Sequence, residues 1–257
     1  MTDRLDPASD RAAYRQIADR LRAAILSGEL PPGERLPSER ELIERYSAAR
    51  GTVRQAIALL RSEGRLDVQH GRGAFVRERP PVRRLGHDRF AQRHRRAGRA
   101  AFLAEADEVG RAASVQVLHI GSTPVPEEFA DTLGLPIGAD ALCRSRRYLL
   151  DEEPVELATS WMPLDLAAGT QIEKSDSGPG GIYARLEESG HPLARFVEDV
   201  TARMPQPDEA RALLLGPGVP VFRLVRSAYD GDGRVVEVCD TLMAADRYIL
   251  SYELPAR

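Results

Sequence analysis

The chain has 257 residues, a formal net charge of −3 and 42% hydrophobic residues. This length suggests two domains. No N-terminal apolar run resembles a signal peptide, and no stretch approaches the ~20 apolar residues of a membrane-spanning helix. We therefore expect a cytoplasmic protein rather than a secreted or membrane protein. The charge is unevenly distributed, because residues 1–100 carry roughly +9 and the remainder roughly −12. The basic part is suited to an anionic partner, and the acidic part is not.

The segment from Arg35 to Val76 contains the clearest local patterns. Ser38 can accept a hydrogen bond from the N–H three residues later, and Glu41 can reach back to the cap, which predicts a helix start. Apolar residues follow at helical spacing as far as Tyr46, and a second helical pattern begins near Arg50 after a short break. Together these patterns predict two consecutive helices joined by a tight turn.

The second predicted helix has two different faces. The apolar face consists of Val53, Ile57, Leu59 and Leu60. The polar face consists of Arg50, Thr52, Arg54 and Gln55. Arginines near the start of a helix can bond guanine O6 and N7 or clamp a phosphate. Taken alone, such arginines are more often a solvated face than a surface that reads DNA.

A predicted hairpin follows Gly64. Two short extended segments, 65–69 and 74–76, are joined by His70-Gly71-Arg72-Gly73, where the glycines allow a tight turn whose backbone can approach a polyanion closely. A glycine-rich hairpin alone is usually only a turn. After two helices with a basic face, however, it completes the order of a winged helix-turn-helix, whose expected partner is double-stranded DNA.

The segment from about Tyr14 to Val76 resembles the DNA-binding domain of the GntR family of bacterial transcription regulators. The resemblance is carried by YRQIADRLRAAILSGELPPGERLPSERELIERY, RGTVRQAIALLRSEG and GRGAFV, which stand where the family has its first helix, its helix-turn-helix and its wing. Carried over position by position, the resemblance implies DNA contacts at Arg40, Arg50, Thr52, Arg54, His70 and Gly71, with Gly51 and Arg72 as near neighbours.

Two positions in this segment depart from the family pattern. Ser47 stands where the family commonly has a glycine in the turn, and Ala49 stands where it commonly has Ser or Thr to cap the recognition helix. Loss of a hydroxyl cap costs about 0.5 to 2 kcal/mol of helix stability. A helical Gly51 costs roughly another 0.5 to 1 kcal/mol. We therefore expect the first turn of this helix to be loosely held until DNA orders it.

Residues 77–84 are expected to connect two domains. They combine charges with the pair Pro80-Pro81, which favours an extended and semi-rigid connector. Further arginines follow, and these could either contact flanking phosphates or form a solvated helix face that adds positive potential. We expect residues 1–76 to form the DNA-binding domain and residues 85–257 to form the second domain.

The second domain shows a mixed pattern of strands and short helices. Alternation and β-branched residues predict strands at 114–120, 142–150, 155–162, 195–203, 221–229 and 235–243, and helical patterns are found at 127–133, 182–189 and 208–214. Hairpins are expected at 151–153 and at 230–233. The predicted fold class is α+β, with an N-terminal winged helix-turn-helix and a C-terminal domain built on a mostly antiparallel sheet.

This order of elements resembles the UTRA domain, the effector-binding half of the HutC subfamily within the GntR family. RRYLLDEEPVELATSWMP and VPVFRLVRSAYDGDGRVVEVCDTLMAADRY stand where the subfamily has its two long hairpins. The resemblance implies a chorismate lyase-like fold with a small-molecule effector held between hairpins and helices. It implies effector-binding residues at Arg146, Tyr148, Thr159 or Ser160, Tyr183, Arg226 and Glu237.

Two departures bear on the effector. Tyr148 replaces the second arginine of a pair that is frequent in the subfamily, and Ala244 stands where a basic residue is frequent. Because a cation is missing, we expect an effector with fewer negative charges than a sugar phosphate, or one with an aromatic or apolar portion. Arg226 and Glu237 could instead pair with each other structurally, and Tyr148 could be a core residue.

Other chemistry has little support in the sequence. Cys143 and Cys239 are isolated and are expected to be free buried thiols, and the five histidines lack metal-ligand spacing. We expect no metal, no cofactor and no catalytic residues. A pocket lined by Arg146, Glu156 and Glu237 could nevertheless perform acid–base chemistry, which keeps an enzyme of chorismate lyase type as one alternative.

The sequence thus predicts a transcription factor, a repressor that responds to a ligand. Two winged helices related by a two-fold axis read a palindrome, so we expect a homodimer on a palindromic operator. A second alternative is a repressor without an effector, in which the C-terminal domain only dimerises.

Overall fold

The computed structural model describes residues 5–69, 72–77, 82–85, 101–108 and 110–253. The chain divides into two compact units, one formed by residues 1–80 and 215–219, and the other by residues 81–214 and 220–257. Buried apolar clusters are present in both units. Among the described residues, no helix combines the length and the apolar character needed to cross a membrane.

The N-terminal unit consists of three helices followed by a hairpin. Its elements are α1 (Ala13–Ser27), α2 (Glu39–Tyr46), α3 (Arg50–Ser62), β1 (Leu66–Gln69) and β2 (Gly73–Val76). β1 and β2 pair antiparallel. The core contains Ile17, Leu21, Leu42, Val53 and Leu60, so each helix contributes its apolar stripe to one cluster. The predicted pair of helices and the following hairpin are therefore confirmed.

The ends of α2 and α3 follow the chemistry of individual residues. Ser38 and Glu41 form the predicted capping box, because the Ser38 hydroxyl accepts the Glu41 N–H at 3.3 Å and the Glu41 carboxylate accepts the Ser38 N–H at 2.7 Å. Ser47 ends α2 in the left-handed conformation with φ 49°, which is uncommon for a residue other than glycine. Ala49 precedes α3 without a side-chain cap, as its missing hydroxyl requires.

The C-terminal unit is built on one large sheet. Its elements are β3 (Val82–Leu85), α4 (Ala101–Glu108), β4 (Ala113–Pro124), α5 (Glu127–Leu133), β5 (Asp140–Leu150), β6 (Glu153–Met162), α6 (Leu164–Ala167), a 3-10 turn (Gln171–Glu173), α7 (Gly181–Glu188), β7 (Leu193–Arg203), α8 (Pro207–Ala212), β8 (Val221–Asp230), β9 (Val235–Ala244) and β10 (Tyr248–Ser251). Six strands form an antiparallel sheet in the order β4-β5-β6-β9-β8-β7. All six predicted strands and all three predicted helices are present, with ends shifted by a few residues.

A second sheet of two strands was not predicted. β3 pairs in parallel with β10, with Val82 opposite Tyr248. The end of the stretch expected to be a connector, 77–84, is thus part of a strand in the C-terminal unit. Arg84 within it is 2% exposed and donates from Nη2 to Glu198 Oε1 at 3.2 Å. The burial of Arg84 could not be predicted from its neighbours in the chain, because the carboxylate that accepts this bond is Glu198, far along the sequence.

The large sheet separates two layers of different character. On one face, Leu142 and Met162 pack against α6, the 3-10 turn and α7, whereas Leu150 and Met243 pack against α4 and β10. Between these two apolar clusters the same face carries polar side chains, because alternate residues of a strand point to the same side. We call this row of polar residues the polar band, and it consists of Arg144, Arg146, Glu156, Ser160, Glu198, Arg226 and Glu237. The opposite face packs against α5.

Candidate DNA-binding and effector sites

The start of α3 presents a basic surface. Arg50 is the first residue of α3 and Arg54 follows one turn later, with side chains 74% and 66% exposed. Arg40 on α2 is 88% exposed and pairs with Glu44 at 3.1 Å. The Arg40–Glu44 pair, in which both partners are exposed, contributes little to stability. The three guanidinium groups are therefore accessible to a polyanion.

The other predicted DNA contacts differ in how exposed they are. Gly51 is exposed, and a Cβ at this position would meet no atom within 4 Å, so packing does not require a glycine. Thr52 is partly buried in the same turn, and Arg72 is exposed at the hairpin with its guanidinium 5.9 Å from the Phe75 ring centre. The predicted contacts at 70 and 71 lie outside the described residues.

Arg146 and Ser160 meet in the polar band. Arg146 Nη2 donates a hydrogen bond to Ser160 Oγ. The Arg146 Nε is buried and has no hydrogen-bond partner among the described residues. Thr159 lies on the opposite face, where its hydroxyl is 3.0 Å from the hydroxyl of Ser145. Of the two predicted hydroxyl residues, Ser160 contacts Arg146 and Thr159 does not.

Tyr183, Arg226 and Glu237 form one hydrogen-bonded group. The Tyr183 hydroxyl donates to Glu237 Oε2 and accepts from Arg226 Nε at 2.9 Å. Burial raises the pKa of Tyr183 well above its usual value of 10.0, so the hydroxyl keeps its proton at neutral pH. Arg226 Nη2 lies 3.7 Å from the same carboxylate. The predicted structural pairing of Arg226 with Glu237 is therefore present, with Tyr183 between them.

Glu237 has an unsatisfied atom. The residue is 1% exposed, and within the described part of the chain its Oε1 has no hydrogen-bond partner. A buried acceptor without a donor costs about 1 to 3 kcal/mol. This oxygen is therefore suited to receive a donor from a bound molecule.

Tyr148 lies at the border between the polar band and an apolar cluster. It shares a strand face with Arg146, and its ring packs edge-on against Phe102 with ring centres 4.8 Å apart. Because the ring contacts the cluster formed with α4, the expectation that Tyr148 could be a core residue agrees with its packing.

Arg144 was missed by the sequence analysis. It is buried, and its Nη atoms donate to the backbone carbonyls of Ile172, Lys174 and Ser175. Burial lowers its pKa to about 10, and the nearby Arg146 charge acts in the same direction. Arg144 stays protonated at neutral pH and fastens the 3-10 turn to the sheet. The spacing of two residues from Arg146 was the signal that could have found it.

Two further carboxylates belong to the polar band, the partly buried Glu198 and the buried Glu156. Glu198 is 3.2 Å from Arg84 Nη2 and 3.8 Å from Arg226 Nη1. Glu156 accepts a hydrogen bond from the Tyr248 hydroxyl at 3.1 Å. Arg84 and Arg226 thus have carboxylates within 4 Å, whereas in the described ranges Arg146 makes no ion pair. Arg146 is the cation of the band that is best placed to hold an anion.

Two family models match the sequence. Residues 13–76 match the model described as bacterial regulatory proteins, gntR family, and residues 108–249 match the UTRA domain. The first match covers the helices and hairpin with the exposed arginines. The second covers most of the large sheet with its polar band. Both matches concern regulators, which argues against the enzyme alternative.

Individual relatives cover almost the whole chain. An uncharacterised HTH-type transcriptional regulator of Streptomyces coelicolor, SCO4628, is 33% identical over 93% of this chain and 91% of its own length. The transcriptional repressor NagR of Bacillus subtilis is 29% identical over 91% of each chain. The crystal structure of PhnF from Mycobacterium smegmatis has a TM-score of 0.59 at 26% identity, covering 96% of this chain and all 100% of that one. The chain therefore belongs to the GntR family of bacterial transcriptional regulators, with an N-terminal DNA-binding domain and a C-terminal UTRA effector-binding domain of the HutC type.

Proposed function

We propose that the protein is a cytoplasmic repressor that binds a palindromic operator as a homodimer and releases it when a small effector occupies the polar band. The names of two relatives, the repressors NagR and PhnF, support repression. The observation that carries effector control is that a donor and an acceptor of the polar band, Arg146 Nε and Glu237 Oε1, are buried without partners in the described residues, as is Arg144 Nε on the same strand face as Arg146. A donor and an acceptor left unsatisfied on one face of the sheet favour a bound molecule over a domain that only dimerises.

On the DNA side, Arg50 and Arg54 read base edges and Arg40 contacts the phosphate backbone. Their exposure at the start of α3 and on α2 supports these roles. Thr52, Gly51 and the wing residues at 70–72 complete the contact surface in this proposal, because a winged helix places its hairpin beside the recognition helix.

On the effector side, the ligand is a monoanion that also carries a hydrogen-bond donor. Arg146 holds the anionic group together with Ser160, and Glu237 accepts the donor. Arg226 is already engaged by Tyr183 and two carboxylates, and Arg144 is engaged by carbonyls. One uncommitted guanidinium therefore favours a carboxylate over a doubly charged phosphate ester.

The dimer is formed by the C-terminal units. Both edge strands of the large sheet expose apolar side chains, Val115, Val117 and Leu118 on β4, and Val197 and Val200 on β7. Exposed apolar residues on a sheet edge are suited to a protein interface. A two-fold pair of DNA-binding domains then matches a palindrome.

The experiment is a thermal-stability screen of the full-length protein against metabolites, followed by competition against its upstream DNA. The panel contains hydroxylated and amino-bearing monocarboxylates matched with phosphate esters of the same carbon skeleton. The expected result is a carboxylate that raises the melting temperature and releases DNA. Micromolar binding of glucosamine 6-phosphate or a similar sugar phosphate would contradict the proposed effector class. DNA binding that no ligand changes would favour a repressor without an effector.

A further inference from the structure

Two of the proposed DNA-reading arginines share one carboxylate. Arg50 Nε donates to Glu39 Oε2 at 3.2 Å, and Arg54 Nε lies 3.4 Å from Glu39 Oε1. Glu39 is the first residue of α2, whereas the two arginines are one turn apart on α3. One side chain on the first helix of the pair therefore orients two side chains on the second.

The atoms used in these contacts leave the arginine forks open. Each guanidinium approaches Glu39 through Nε, and within the described residues the terminal Nη atoms of Arg50 and Arg54 make no hydrogen bond. A guanine O6 and N7 pair is read by two parallel N–H donors of one guanidinium. A long exposed side chain has many rotamers, and fixing it before binding reduces the entropy lost on binding.

Glu39 also has an electrostatic effect of the opposite sign. A carboxylate on a surface that faces DNA repels phosphates and weakens sequence-independent binding. Glu39 is not the carboxylate of the capping box, which is Glu41, although both residues lie in the favourable acidic first turn of α2. Positioning and repulsion together raise the ratio of operator binding to non-specific binding.

We propose that Glu39 is a specificity-determining residue of the DNA-binding domain, which positions Arg50 and Arg54 for base recognition while opposing non-specific binding. This inference rests on the proposed role of the two arginines. It concerns a residue that does not itself have to contact DNA.

The test compares two duplexes in salt-matched titrations of the full-length protein. One duplex is the site obtained by selection from a random library with the unmodified protein, and the other is a scrambled sequence. Glu39→Gln should weaken binding to the selected site about ten-fold, the size of one disturbed arginine–guanine contact. Binding to the scrambled duplex should stay equal or become tighter, because a negative charge is lost.

Two matched variants separate positioning from charge. Glu39→Asp keeps the charge and the favourable acidic helix start but is one methylene shorter, so it should weaken operator binding while leaving scrambled binding unchanged. Glu29→Gln removes one charge from an exposed position that has no ion pair among the described residues, and should leave the ratio of the two affinities unchanged. Melting temperatures of all variants check that the domain stays folded.

The results separate a failure of the proposed role of Glu39 from a failure of the proposed DNA contacts. If Glu39→Gln and Glu29→Gln change the ratio equally, or Glu39→Asp binds the selected site like the unmodified protein, Glu39 does not position the arginines. When Arg54→Ala is already present, Glu39→Gln should weaken binding to the selected site by a smaller factor, because Glu39 has lost one of its two arginine partners. If Arg54→Ala itself leaves operator affinity unchanged, or the selection returns no preferred sequence, the proposed DNA contacts fail instead.

Discussion

Arg146 on β5 donates a hydrogen bond to the Ser160 hydroxyl on β6, and among the described residues the Arg146 Nε has no partner. The Ser160 hydroxyl fixes the orientation of the Arg146 guanidinium, and the Nε of that guanidinium remains available as a donor. The Nη atoms of the neighbouring Arg144 are held by three backbone carbonyls, whereas the Arg146 guanidinium makes no second hydrogen bond among the described residues. The contact therefore describes a side chain that is held in place and still able to bind a ligand.

Replacing Arg146 by alanine should abolish induction and leave operator affinity unchanged, because the side chain belongs to the C-terminal unit and its free donor serves the effector. Operator binding with and without the effector from the metabolite screen measures both quantities. The control is Arg147→Ala, the next residue on β5, whose side chain faces the other way and bonds Gln116 at 2.9 Å. Loss of DNA binding in Arg146→Ala would make the residue structural.

Replacing Arg54 by alanine should weaken operator binding by about 1 to 3 kcal/mol and relax specificity at one base pair, if the guanidinium reads a base bidentately. Titrations against the site and its single-base variants measure both effects. Arg61→Ala is the matched control, since it removes an exposed arginine from the last turn of the same helix. Equal effects of the two substitutions would mean that only total charge matters.

The first turn of α3 should become more stable on Ala49→Ser or Gly51→Ala. A serine at the N-cap adds about 0.5 to 2 kcal/mol of helix stability, and alanine in place of Gly51 adds about 0.5 to 1 kcal/mol with no clash. Hydrogen exchange of the amides in this turn, measured without DNA, should slow in both variants. Full protection of the turn in the unmodified protein would contradict the expectation of a loosely held helix start.

Replacing Tyr183 by phenylalanine should lower the free energy of unfolding by about 1 to 3 kcal/mol, because a buried acceptor on Glu237 and a buried donor on Arg226 both lose their partner. Chemical denaturation of the full chain measures the change. Tyr14→Phe removes a hydroxyl whose hydrogen bond among the described residues is the one it accepts from the exposed side chain of Arg15, and should change stability little. An unchanged free energy of unfolding in Tyr183→Phe would contradict this prediction, because water or a shift of neighbouring side chains would then satisfy Glu237 and Arg226.

The Asp230 carboxylate should make the stability of the folded protein decrease at low pH. Burial alone raises its pKa, but hydrogen bonds from His191 and from the backbone of Arg234 and Asp232 outweigh it and hold the pKa below the usual 3.8. A carboxylate whose folded-state pKa is depressed stabilises the protein fully above its unfolded-state pKa, and this contribution is lost as the pH falls through the folded-state pKa. The melting temperature should therefore drop less steeply below pH ~4 in Asp230→Asn than in the unmodified protein.

Local chemistry explains which elements could be predicted. The capping box of Ser38 and Glu41 involves residues three positions apart, so the sequence contains all that is needed to form it. The alternation in β5 and β6 likewise predicted strands, because burial of one face imposes a period of two residues. The exposed arginines of α3 followed from its amphipathic pattern, and the family resemblance gave their role.

Contacts between distant residues explain what could not be predicted. The choice of Ser160 over Thr159 depends on which face of β6 meets Arg146, and that is fixed by the strand register. The burial of Arg84 depends on the parallel pairing of β3 with β10. The contacts of Glu39 with both Arg50 and Arg54 depend on how α2 packs beside α3.

The sequence by itself determined the helix starts, the strands, the charge asymmetry and the kind of regulator, because these depend on residue order over short distances and on a family pattern. Only the tertiary structure decided which buried atoms of the polar band are satisfied. In the described residues Arg144 Nε, Arg146 Nε and Glu237 Oε1 remain without partners, whereas Arg226 Nε and the Nη atoms of Arg144 donate hydrogen bonds. Hydrogen-bond satisfaction is a property of positions in space, and strands far apart in the chain supply its donors and acceptors.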